Sequence, residues 1–239
     1  MKCNSFIKAL LLLCLFSLSG CSPTKKVPEG AYLLRKNDIN VDGKAPKNSH
    51  VYGYLRQEPN SRLLGIPIGL LIYNLADDQA EENYQKWLER HPRWHRFLDG
   101  FLSKKQTQRL GKSFLVSGKD RLLQRMGQPP AILDTAQVNK STKVLKAYYN
   151  SVGYYNSKVE HDILLLEKKK EAAVVYSIEK GMRYYIDSLD TRILSPEIDT
   201  LYKKHIGERL IKNHTHYSLE KFTNERSRIT TLLRNNGFY

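Results

Sequence analysis

Residues 152–186 read VGYYNSKVEHDILLLEKKKEAAVVYSIEKGMRYYI, and this stretch decides how the chain folds. Before it, Val144, Leu145, Tyr148 and Tyr149 share one helical face, with Asn139 or Ser141 placed to cap the helix. Gly153 follows the helix where a left-handed residue is wanted. Residues 158–166 and 172–178 are strand-like, and in the second Val174, Tyr176 and Ile178 alternate with small or polar neighbours. Glu167-Lys168-Lys169-Lys170-Glu171 is a charged connection, so the two strands form a hairpin that Lys180-Gly181 ends.

Downstream the order restarts. Residues 183–189 read as a short strand. Ser195-Pro196-Glu197 is a helix start with Pro at the first helical position and an acid in the first turn, and Ile198, Leu201 and Tyr202 face one way. From Ser218 a second helix carries Leu219, Phe222, Arg226, Ile229 and Leu233 on one stripe. Asn236-Gly237-Phe238-Tyr239 then resembles Val152-Gly153-Tyr154-Tyr155, the two glycines lying 84 residues apart. The chain therefore reads as a repeated unit.

Upstream, residues 31–41 read as a strand closed by the turn Asp42-Gly43. Residues 63–75 (LLGIPIGLLIYNL) are apolar but broken by Gly65, Pro67 and Gly69. The run is too short and too broken to cross a membrane, and reads as a buried loop or short helix. Tyr84, Trp87 and Leu88, and then Trp94, Phe97, Leu98, Phe101 and Leu102, recur at helical spacing. Such stripes are expected in a core. Gly127-Gln128-Pro129-Pro130 ends the region.

The 239 residues are 41% hydrophobic and 26% charged, enough to build a core. Lys and Arg number 39 against 24 acids, and the net charge of +15 suits an anionic partner such as a membrane surface or nucleic acid. Lys2 and Lys8 precede an uncharged apolar run, residues 9–18, the pattern of a signal peptide. Leu18-Ser19-Gly20-Cys21 resembles the lipobox of bacterial lipoproteins. That resemblance implies cleavage before Cys21 and acylation of Cys21, a firm anchor. Cys3 and Cys14 would leave with residues 1–20, and loss of Lys2 and Lys8 lowers the charge by two, to +13. Cys21 is then the one cysteine left, so neither a disulfide nor a cysteine metal site is open to the mature chain. Residues 22–30 read as a short tether. Ser22 replaces the Asp that retains enteric lipoproteins in the inner membrane, and no acidic export cluster follows. By that likeness the chain faces the periplasm from the outer membrane. This location, with no basic-aromatic stripe, argues against nucleic acid.

The strand, helix, Gly-aromatic and hairpin order is similar to that of POTRA domains, the periplasmic βααββ modules of the BamA/TamA outer-membrane assembly superfamily. The segment 175–181 followed by Tyr184-Tyr185-Ile186 resembles the junction between consecutive modules. Gln57-Glu58-Pro59-Asn60 and Gly127-Gln128-Pro129-Pro130 look similar to the stretch between strand and helix of a first module. A lipobox ahead of such modules narrows the resemblance to TamL-type lipoproteins. The resemblance implies an α+β fold of tandem modules: residues 31–181 with a long insertion, then 182–239. The second module stops at the start of a strand and lacks its hairpin, so the chain is expected to be a fragment, a truncated product or the outcome of a broken reading frame.

No motif for catalysis stands out. Gly111-Lys112-Ser113 lacks the glycine a P-loop needs five residues earlier, where Gln106 stands. His91 and His95 are split by Pro92, and His214 and His216 have no third ligand nearby. Asp77-Asp78 and Glu81-Glu82 read as a solvated helix start. No catalytic residue, metal or cofactor is expected. The resemblance implies a scaffold that holds unfolded outer-membrane proteins, or an inner-membrane partner, by strand addition near outer-membrane lipid. The hairpin is the candidate surface, with Lys158, His161, Ile163 and Leu165 as client-binding residues. The alternative is a stand-alone basic lipoprotein that binds anionic envelope polymer or lipid.

Overall fold

The computed structural model describes residues 22–239. The expected signal peptide, lipobox and anchor residue Cys21 lie outside them. The fold is α+β. Three strands, β1 (Leu33–Val41), β2 (Lys158–Leu166) and β3 (Glu171–Glu179), form a sheet in the order β1-β3-β2. Leu33 N–H donates to the Lys170 carbonyl at 2.9 Å and Asp42 N–H to that of Ile178 at 2.8 Å, so β1 and β3 run the same way. The central strand β3 is buried on both faces at its start, Glu171 to Val174; beyond that Tyr176 and Ile178 are buried while Ser177 and Glu179 are exposed, the expected alternation. Asp42 and Gly43 both take positive φ, 50° and 77°, between the mutually bonded Val41 and Lys44. This is the two-residue turn that Asp-Gly favours.

By packing, the described residues fall into two compact units: 22–36, 58–133 and 164–173 in the first, and 37–57, 134–163 and 174–239 in the second. The first holds α1 (Ile68–Leu75), α2 (Ala80–Arg90), α3 (Pro92–Phe101), α4 (Lys104–Leu110), a π-helical turn (Phe114–Gly118) and α5 (Lys119–Met126). Its core joins Val27, Leu33 and Leu70 with Ala31 and Ile132.

Two expectations fail in this unit. Residues 22–30 are not a free tether. The buried Asn74 side chain donates to the carbonyls of Ser22 (3.3 Å) and Pro23 (3.0 Å), Lys26 pairs with Asp78 at 2.7 Å, and Val27 enters the core. The apolar stretches expected inside are partly outside. Leu63, Leu64, Ile66, Ile68 and Leu75 are exposed, as are Trp87, Trp94, Phe97 and Phe101, and of the two aromatic stripes only Leu88 is deeply buried. The helices are where the spacing put them, but they are short. Each turns one narrow side inward: on α3 that side is Leu98, His95 and Asp99, while the aromatics face water.

The second unit holds α6 (Thr135–Ser151), α7 (Pro196–Lys204), α8 (Leu219–Asn235) and a two-stranded sheet. The α6 cap is Asp134, whose carboxylate accepts from Ala136 N–H (2.8 Å) and Gln137 N–H (3.4 Å), rather than Asn139 or Ser141. Ser141 is buried instead, accepting from Arg56 N–H at 2.9 Å and donating to the Gln137 carbonyl at 2.8 Å. The strand expected over 183–189 shrinks to β4 (Tyr185–Ile186), which pairs antiparallel with β5 (Thr215–His216). Ser195 caps α7 as expected. On α8 the most buried residue is Glu225; Phe222, Ile229 and Leu233 of the expected stripe are half-buried, and Arg226, placed on that stripe by its spacing, is exposed. Gly153 and Gly237 both take left-handed φ, +96° and +84°. Gly153 is also hemmed in, since a Cβ there would lie 3.2 Å from the Tyr217 carbonyl oxygen.

Candidate strand-addition edge

Residues of β2 alternate between two faces because successive side chains of a strand point to opposite sides. Val159, His161 and Ile163 are half-buried, whereas Lys158, Glu160, Asp162 and Leu164 are exposed. Of the four candidate residues, His161, Ile163 and Leu165 therefore share one face, and Lys158 stands on the other.

His161 is held by the layer behind it. Its Nδ1 lies 3.0 Å from the Thr142 hydroxyl on α6. That hydroxyl already donates to the Val138 carbonyl at 3.1 Å, so Nδ1 is the donor to it. The ring also sits 6.4 Å from that of Tyr176 on β3, whose hydroxyl burial holds above the usual tyrosine range. His161 thus secures β2 to the core. The strand ends differently: Leu164, Leu165 and Leu166 are all exposed, Leu164 at 54%.

The sheet order leaves β2 at an edge, and among the described residues no strand pairs on its far side. The other edge is partly occupied. Leu34 N–H donates to the Ala131 carbonyl at 2.7 Å and Leu133 N–H to that of Tyr32 at 2.8 Å, so residues 131–133 cover the start of β1. An open edge carries a row of unpaired N–H and C=O groups, a template for one more strand. Here three exposed leucines add apolar grip at one end, and Lys158, Glu160 and Asp162 keep the other end wet.

The remaining motifs have local partners. Gly111-Lys112-Ser113 turns its amides back on the helix before it, Lys112 N–H donating to Arg109 and Ser113 N–H to Leu110. The His91 ring stacks on Trp87 at 4.9 Å, His95 lies 3.5 Å from Asp99, and His216 packs on Tyr185 at 4.2 Å. Among the described residues no three His, Cys, Asp or Glu side chains gather closely enough to hold an ion. Asp77 closes the start of α2, accepting from Gln79 N–H (2.9 Å) and Asn83 (2.8 Å), bonds that hold its carboxyl below the usual range.

Sequence reading missed the Glu225 cluster. Arg228 donates to both Glu225 oxygens, at 2.7 and 3.1 Å, and Leu210 N–H donates to one of them at 2.9 Å. The Arg228 bonds hold the Glu225 carboxyl below the usual range. The Glu-x-x-Arg spacing on a helix was the available signal.

An α+β fold with an open sheet edge can take up one more strand. Residues 115–181 match the family model POTRA, described as a surface antigen variable number repeat; β2 and β3 fall inside the match and residues 182–239 outside it. The crystal structure of Haemophilus influenzae BamA POTRA3-5 is similar at 12% identity over 90% of each chain, with a TM-score of 0.27. A likeness at that level is not grounds for a shared shape. No curated protein matches the chain.

Proposed function

We propose that this chain is the periplasm-facing part of an outer-membrane protein assembly or translocation factor, anchored by lipid on Cys21 and built of POTRA-like modules over residues 31–181 and 182–239. It acts as a scaffold, not an enzyme. An extended client segment adds to the β2 edge, and its side chains meet Leu165 and Leu166 while its backbone completes the ladder. Clients are unfolded outer-membrane proteins, whose alternating strands suit that edge, or an exposed strand of an inner-membrane partner. The observation that carries the reading is the open edge of β2, within the segment that matches the POTRA model. The narrower likeness to TamL-type lipoproteins rests on the lipobox and belongs to the same proposal.

The test uses a photocrosslinker at Leu166 and proline at Ile163 or Leu164. Successive N–H groups of an edge strand point alternately into the sheet and out of it. One of the two prolines therefore removes an outward donor and leaves the sheet intact. That variant should keep its circular dichroism and thermal unfolding and lose most crosslinks to unfolded outer-membrane proteins. Undiminished crosslinks in both variants would sink the proposal.

A further inference from the structure

The apolar stretch 63–75 has no role in the reading so far. Its start is a tight turn in which Leu63 and Ile66 bond each other's backbone at 2.9 and 3.0 Å. Leu64 and Gly65 at the tip take φ of +50° and +80°. Asn-Gly is the pair such a turn favours. A leucine there is strained against its backbone, and this one is 96% exposed. It gains no packing in return, so the fold itself gives no reason for Leu64.

The surface continues along α1. Ile68, Leu71, Ile72 and Leu75 recur at the spacing of one helical face; Ile68 and Leu75 are exposed, and Leu71 and Ile72 half-buried. Leu70 and Asn74 fill the opposite, buried face. No charged residue occurs from 63 to 76, and a cation stands near each end, exposed Arg62 beside the tip and exposed Lys25 with its Nζ 3.5 Å from the Asn74 carbonyl; the exposed acids Asp77 and Asp78 follow the stripe, and Asp78 is paired with Lys26 at 2.7 Å. An apolar stripe bracketed by cations is the pattern of an element lying at a lipid surface.

The backbone at Ser22 and Pro23 lies against one end of this stripe. Asn74 grips the Ser22 and Pro23 carbonyls at the Leu75 end of α1. Cys21 is the next residue, within about 4 Å of chain from Ser22. On the anchored reading, the lipid on Cys21 is therefore one residue away from a backbone tied to that end of α1.

We propose that residues 62–75 are a membrane-surface docking element. Leu63, Leu64 and the exposed face of α1 enter the boundary between headgroups and acyl chains of a phospholipid leaflet, and Arg62 and Lys25 meet lipid phosphates. The choice of lipid as occupant rests on the anchored reading of Cys21.

The mature lipidated protein with Leu64→Cys, carrying an environment-sensitive fluorophore, is placed on vesicles of phosphatidylethanolamine and phosphatidylglycerol. Emission should shift to the blue and fall about threefold when the acyl chains are brominated, as for a group at the acyl boundary. The same label at exposed Leu194 should stay aqueous. A label at 64 that stays aqueous overturns the proposal. So does one shielded only at high protein concentration and insensitive to bromine, which marks a second copy as the occupant, or one shielded only by added unfolded client. Leu64→Asn should unfold at the same or a higher temperature, and a lower one would show that Leu64 serves the fold, also overturning the proposal. One label per chain means that Cys21 is blocked. Further labels mean that the anchored reading fails, while bromine quenching still decides docking by itself.

Discussion

At the scale of single residues, Glu225 is the acid buried most consequentially. Its carboxylate closes a loop by accepting from Leu210 N–H and is clasped by Arg228, which also lies 3.5 Å from Glu208. Glu225→Ala leaves Arg228 without its main partner and the loop amide unbonded, and should cost about 2 kcal/mol in thermal or denaturant unfolding. Because the folded carboxyl is held below the unfolded value, its contribution is fully present above about pH 5. It fades as pH falls through the lowered folded value. Glu225→Gln should therefore flatten the acid limb of stability against pH. An unchanged limb between about pH 5 and 3 would show that the clasp adds nothing.

Elements show what periodicity can and cannot convey. β2 was legible to the residue and β3 to within one, because charged connections and β-branched runs bound them on both sides. The α6 face built from Leu145 and Tyr149 was legible too. Its start was not: Thr135, Ala136 and Gln137, ahead of the buried Val138, carry no stripe, and the capping Asp134 follows a Pro-rich stretch that masks it. Asp134→Ala should lower stability by about 1 kcal/mol, read by thermal unfolding, and an unchanged midpoint would remove the cap from the account of α6. The candidate site was legible as a hairpin, but its edge position was not, since strand order depends on where β1 returns. Spacing alone also failed to separate a stripe that faces the core from one that faces out. α1 and α3 have the same pattern either way, and which side is covered is decided by partners distant in sequence.

At the scale of the whole molecule, the surplus of 39 basic over 24 acidic residues sets the scaffold reading against the polymer-binding one. Raising salt from about 0.1 to 1 M shortens screening from about 10 to 3 Å. Crosslinking of clients at β2 should change less than about twofold over that range, because backbone bonding and leucine burial carry it. Binding of an anionic envelope polymer, followed by fluorescence anisotropy, would fall at least about tenfold if charge were the driving force. A salt-sensitive client signal would favour the second reading. The grip of Asn74 on Ser22 and Pro23 has a consequence in time as well as in space. Enzymes that cut and acylate a chain at Cys21 need the neighbouring backbone extended and within reach. On the anchored reading, a chain processed before it folds meets those enzymes unclasped, and folding afterwards ties Ser22 and Pro23 to Asn74.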